Sequence, residues 1–219
     1  MKKNNSVKDT SRRNVLHQMF MAGFATTLLG TSSFQANAED LPTTGEDPVK
    51  PFYLPPAEAL QLQGRGINLR TWVRSSQTNM QYSCVEFIVA PKQMGPPPHI
   101  HKDLDELMYV LDGTVSIMVD ETVYQVNAGG WHMRPRGIAH TFWNATDKPA
   151  RYIDMYFNQN FEDFLEELNF KLIPEMAKNH LTPADPGIAK KWADLDQRFG
   201  ITTFFEKRQP IIDKYKLKP

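Results

Sequence analysis

The stretch Gly95–Gly113, GPPPHIHKDLDELMYVLDG, places His99 and His101 two residues apart and Glu106 five positions further on. Side chains two apart on an extended strand point to the same face, so both imidazoles can enter one interior. Pro96, Pro97 and Pro98 force an extended approach and stiffen it. Glu106 opens the next apolar run, in which Met108 and Val110 share its parity. A second patterned stretch, Gly129 to Asn144, reads GGWHMRPRGIAHTFWN and carries His140, with Ile138 and Phe142 on the same face. Three histidines and one glutamate within 42 positions form a metal-binding inventory.

Outward from these stretches, residues 67–157 read as successive short strands. Asn68–Arg74 and Tyr82–Ala90 come first, then Leu107–Leu111, Thr114–Val119, Thr122–Val126, Trp131–Met133, Ala139–Trp143 and Tyr152–Phe157. Asp112-Gly113 and Asp120-Glu121 supply tight turns, and residues 127–130 a looser one. Short strands at a spacing near ten residues predict an antiparallel sandwich or barrel. Ligands from separate strands converge only if the sheet curls, so the metal reading and the barrel reading support each other. Imidazole and carboxylate together select Mn, Fe, Co, Ni, Cu or Zn over Ca or Mg. In an octahedral ion, four such ligands leave two positions open for substrate and a second small molecule such as O2. Met108, Val110, Ile138, Phe142 and Met155 are expected to form the apolar wall of a substrate-binding cavity. His132 and His180 are read as structural or surface histidines, and Trp131 and Trp143 as core or surface aromatics.

After Asn160 the period changes. Phe161, Phe164, Leu165, Leu168 and Leu172 fall at helical spacing, and Pro174 is expected to interrupt that helix. A second helix starts at Asp185-Pro186-Gly187 and presents Ile188, Trp192, Leu195 and Phe199 on one face, with Gly200 as its C-cap. These helices are expected to pack on the sheet as a cover; a lid over the barrel mouth is the alternative.

The N-terminal residues 1–38 have the zones of an export signal: a basic start, a diluted apolar run from Met19 to Gly30, and Ala36-Asn37-Ala38 as a cleavage site. Arg12-Arg13 before a weak apolar core resembles a twin-arginine signal of bacteria. That places the processed protein in the periplasm or otherwise outside the cytoplasm, without a stable membrane span. Residues 39–59 are proline-rich and read as an extended arm, with Phe52, Tyr53 and Leu54 able to dock it. The domain scheme is thus 1–38 signal, 39–59 arm, 60–158 barrel and 159–219 helical extension.

Residues 1–38 carry a formal charge of +4 in a chain of net charge zero, so the rest carries −4. A mildly acidic body gives no electrostatic reason to bind nucleic acid or anionic membranes. With Cys84 alone, no intramolecular disulfide contributes to stability.

Gly95-x3-His99-x-His101-x4-Glu106-x6-Gly113 resembles the first cupin motif. Gly129-x5-Pro135-x-Gly137-x2-His140-x3-Asn144 resembles the second. The family usually has a longer interval before the first histidine; the shortening here touches the loop and not the ligands. The resemblance implies an all-β fold, an antiparallel double-stranded β-helix or jelly-roll barrel with C-terminal helices. It also implies one divalent transition metal held by His99, His101, Glu106 and His140. Phe161-Glu162-Asp163-Phe164-Leu165 and Arg198-Phe199-Gly200-Ile201 resemble quercetin-dioxygenase-like monocupins. The function so implied is a dioxygenase that cleaves a small enolic or phenolic substrate with O2, Glu106 doubling as ligand and catalytic base, in a homodimer. The alternatives are a non-catalytic small-molecule or metal-binding cupin, and a non-redox decarboxylase or isomerase.

Overall fold

Apolar side chains at every second position turn residues 67–157 into ten strands, and all of the pairings among them are antiparallel. The computed structural model describes residues 48–64 and 66–219. The export-signal reading and the first part of the arm therefore lie outside the described residues. The strands are β1 (Ile67–Val73), β2 (Tyr82–Val89), β3 (Gln93–Met94), β4 (His99–His101) and β5 (Asp105–Asp112). They continue as β6 (Thr114–Val119), β7 (Thr122–Asn127), β8 (Trp131–Arg134), β9 (His140–Asn144) and β10 (Ala150–Phe157). A last strand, β11 (Ile201–Thr203), follows the helices.

Two antiparallel sheets form a cupin-like sandwich. One runs β1-β2-β10-β5-β8; the other runs β11-β4-β9-β6-β7, with β3 also paired to β9. Period-2 burial is clearest on β5, where Glu106, Met108 and Val110 are buried and their neighbours are not. Val85, Phe87, Val115, Ile117 and Tyr152 meet them between the sheets. Fully burying one such aliphatic side chain contributes about 1.5–3 kcal/mol.

The interval before His99 is pinned to β9. Gly95 N–H donates to the Phe142 carbonyl at 3.0 Å, and a Cβ at Gly95 would sit 2.3 Å from that same oxygen. Only glycine fits there. Thr141 Oγ1 donates to the Pro96 carbonyl at 2.6 Å.

Helix α1 (Phe161–Glu167) runs into a π-helical turn (Leu168–Leu172) and then α2 (Ile173–Asn179). The expected interruption at Pro174 does not occur. Ile173 N–H reaches back to the Leu168 carbonyl, and this wider turn admits a proline at the start of α2 without breaking the path. Helix α3 (Pro186–Phe199) ends as expected at Gly200, which has φ +62°. Ile188, Leu195 and Phe199 are buried on its inner face, and Trp192 is half-buried.

The tail does more than its composition suggested. Helix α4 (Arg208–Tyr215) buries Ile211 and Ile212, and with Leu217 they pack on Met94 and Trp143 as a second core. The residues expected to dock the arm, Phe52, Tyr53 and Leu54, are 45, 79 and 38 % exposed.

Asn144 ties the β9–β10 connection to β2. Its Nδ2 donates to the carbonyls of Val89, Ala90 and Lys148, and its Oδ1 accepts from Thr146 N and Oγ1. Asn144 is fully buried, so Asn144→Ala strands several backbone groups out of reach of water. It is expected to cost about 3 kcal/mol in urea unfolding; a loss under about 1 kcal/mol would mean that the connection does not depend on this amide.

Candidate metal centre

Strand pairing assembles the site. His99 on β4 is the direct cross-strand partner of His140 on β9. His101, two residues along β4, faces the same interior and is fully buried. Glu106 comes from β5 in the opposing sheet. One donor atom from each of His99, His101, Glu106 and His140 lies within 4.8 Å of every other. Gly137, at φ +78°, donates its N–H to the His101 carbonyl at 2.8 Å, so the turn before His140 is anchored on the strand that carries the other two histidines.

The donor set fits a metal ion. His99 Nδ1 lies 2.9 Å from the Pro97 carbonyl and His140 Nδ1 3.0 Å from that of Ile138. Each carbonyl accepts a hydrogen bond from the Nδ1–H tautomer, which leaves Nε2 with a lone pair for a cation. His140 Nε2 and His101 Nδ1 are buried without a hydrogen-bond partner, and His101 Nε2 has only Glu106 beside it. Buried polar atoms left this way are costly unless something else fills their lone pairs. Glu106 sits among them, Oε1 3.0 Å from His101 Nε2 and Oε2 3.4 Å from His140 Nε2. A cluster of three histidines and one glutamate arranged in this way could hold a metal ion.

Two residues that spacing alone does not reveal complete the surroundings. Arg134 is the cross-strand partner of Glu106 on β8, and its Nε lies 2.8 Å from Glu106 Oε2. Its Nη2 donates to both oxygens of Asp154 at 2.5 Å. All three are nearly excluded from solvent. Each has a sequence signal: an arginine at an inward position of β8, and an aspartate between Tyr152 and Tyr156 on the inward face of β10. Neither signal can be read in isolation, because inward parity on those strands is known only once the register is.

Charges and burial set the proton affinities. Burial pushes Glu106 up, but the Arg134 charge, followed by His140 and His101, holds it well below the usual carboxylate range. That keeps Glu106 anionic, suited to a cation and weak as a base. Burial raises Asp154 to about 6, against the pull of Arg134. Burial is also the main cause that lowers His99 and His101, with the neighbouring histidines adding to it at His99 and the Glu106 contact opposing it at His101.

Residues 85–156 match the family model for the cupin domain. This match and the two-sheet sandwich support the cupin superfamily for this chain. No curated protein sequence matches it. Among solved structures, KdgF from Halomonas sp. is 16% identical over 45% of this chain and 84% of its own, with a TM-score of 0.40. The polyketide cyclase RemF from Streptomyces resistomycificus is 22% identical over 43% and 66%, at 0.39. A sugar phosphate isomerase from Silicibacter pomeroyi is 20% identical over 42% and 60%, at 0.37.

The four-donor cluster opens into a cavity of about 130 Å³. His99, Glu106, His140 and Asp154 lie at one end, and Phe87, Phe142, Tyr156, Phe161, Phe164 and Trp192 contribute aromatic wall. Of the five residues expected to form that wall, only Phe142 does. Met108 and Val110 face inward but are consumed by the packed core, each with no exposed surface. Ile138 lies off the cavity. Met155 has the wrong parity, because the buried positions of β10 are Ala150, Tyr152, Asp154 and Tyr156. The wall comes instead from the helices: Phe161, Phe164, Leu165, Leu168, Asn169 and Trp192. They enclose the site, and Phe161 sets its ring edge-on to His101 at 4.9 Å.

His140→Ala is expected to lose most bound metal, measured by elemental analysis after gel filtration; full retention would remove His140 from the ligand set. Protons should also compete poorly with the metal. Three ordinary imidazoles would weaken binding by roughly 100-fold between pH 6.5 and 5.5. With His99 and His101 lowered, the loss of Zn2+ affinity in chelator competition is expected to stay within about tenfold.

Proposed function

We propose that the chain is an exported, metal-dependent cupin dioxygenase acting on a small enolic or phenolic substrate. The observation that supports it most is the joining of the four-donor cluster to an aromatic-walled cavity. No lysine or arginine is among the residues lining that cavity, so apart from the metal centre its wall is largely apolar and aromatic. It suits a neutral ring with hydroxyl or enol groups.

A divalent first-row metal held by His99, His101, Glu106 and His140 would supply Lewis acidity and, if redox-active, a route for electrons to O2. The residues of the chain do the rest. Phe142, Phe161, Phe164 and Trp192 exclude water and orient the ring. Asp154, on the cavity wall with its carboxyl near 6, takes the substrate hydroxyl proton. Glu106 serves as a ligand; its low proton affinity opposes the base role that the cupin resemblance implies. The twin-arginine reading of residues 1–38 puts this chemistry outside the cytoplasm, with metal acquired before export.

A second reading rests on Asp154 itself. A carboxyl of raised proton affinity beside a metal site also suits proton transfer without oxidation, as in a metal-dependent isomerase or decarboxylase.

Protein purified without added metal is expected to contain a stoichiometric transition metal and to consume O2 with a flavonol, catechol or 1,3-dicarbonyl. Product formation without O2 uptake would favour the isomerase or decarboxylase. No uptake across such a panel with every metal-loaded form would overturn the dioxygenase reading.

A further inference from the structure

Arg134 is 1 % exposed, and removing a guanidinium from water costs on the order of several kcal/mol unless its partners restore it. Asp154 alone would neutralise it. The arginine nevertheless spans two carboxylates from different strands, Asp154 on β10 through Nη2 and Glu106 on β5 through Nε. It approaches Glu106 on one side only. Oε2 lies 2.8 Å from Arg134 Nε, whereas Oε1 is turned to His101 Nε2 at 3.0 Å. Two features hold this asymmetry: the cross-strand register of Glu106 with Arg134, and the paired contacts of Asp154 with Nη2.

We propose that Arg134, braced by Asp154, is a positioning residue that limits Glu106 to one ligating oxygen. A carboxylate can bind a cation through one oxygen or two. With Oε2 in ion-pair contact with the guanidinium, Oε1, turned toward His101, is the oxygen that would ligate, and a coordination position that a bidentate glutamate would fill would stay open for an external molecule. The inference rests on the metal-site reading above and adds to it the control of how many positions remain open.

Co2+ reports coordination through its visible absorption, and azide is a small external ligand that competes for an open position. Arg134→Met with Asp154→Asn removes one positive and one negative charge, so that Asp154 is not left as an unpaired carboxylate and Glu106 faces the metal without the guanidinium. Arg134→Lys keeps the charge but loses the two-sided reach of the guanidinium. In both, metal affinity is expected to match or exceed that of the unaltered protein, the Co2+ spectrum to change, and azide to bind at least about tenfold more weakly. Unchanged spectrum and azide affinity in a folded variant would overturn the inference, as would weakened metal binding with azide affinity intact, which is the pattern of a merely structural ion pair. If the double variant does not fold, Arg134→Lys alone decides. If the unaltered protein binds no Co2+, Zn2+ or Mn2+, the metal-site reading itself falls, which is a different result from a metal-loaded protein whose variants behave alike.

Discussion

Imidazole nitrogens buried without hydrogen-bond partners are the constraint around which this chain is arranged. His140 Nε2 and both nitrogens of His101 are shut away from water, beside a carboxylate equally enclosed. A core built only for stability would place apolar groups there at lower cost. The polar cluster persists because two sheets deliver it from opposite sides. The sheet that contains β4 and β9 supplies three imidazole donors. The sheet that contains β5, β8 and β10 supplies the charges: Glu106, Arg134 and Asp154. Their sum is −1, which a dication would turn to +1. In a space with little water, that sign is felt strongly by any substrate oxygen.

This division follows from period-2 geometry and register. His99 opposes His140, Glu106 opposes Arg134, and Tyr156 opposes Glu106. A slip of one residue on β5 would turn Glu106, Met108 and Val110 outward together and leave three histidines facing an apolar wall. The same packing that holds Met108 and Val110 in the core therefore holds Glu106 in the site. Gly95 and Gly137 secure the other side, one by letting the chain approach β9, the other by hydrogen bonding the turn before His140 to His101.

Much of this was legible in the chain. Strand parity and the two motifs bring His99, His101, Glu106 and His140 to one interior, and the alternation from 67 to 157 gives an antiparallel all-β sandwich. What was not legible depends on contacts between elements distant in sequence. Arg134 and Asp154 mean nothing to each other until β8 and β10 are both beside β5. Strand β11 is three residues of ordinary composition whose pairing to β4 exists only after α3 has returned the chain. Pro174 misled because local stereochemistry forbids it in a regular helix but not after a π-helical turn. Met108 and Val110 misled in another way. Parity correctly puts a side chain inside, yet cannot distinguish packed core from cavity wall, because that depends on what arrives from the other side.

What arrives here is the C-terminal third. The cupin match ends at Tyr156, before Phe161. Phe161, Phe164, Leu165, Leu168, Asn169, Trp192, Ile201 and Thr203 all line the cavity and all lie beyond it. The segment that matches the family model thus carries the four-donor cluster, while much of the cavity wall comes from residues that follow it. Phe161 joins the two, its ring against His101 on one side and stacked on Phe164 at 4.8 Å on the other. A helix that touches a ligand cannot be repacked without disturbing the donor cluster. The shape of the cavity and the geometry of the donor cluster are for that reason one physical problem.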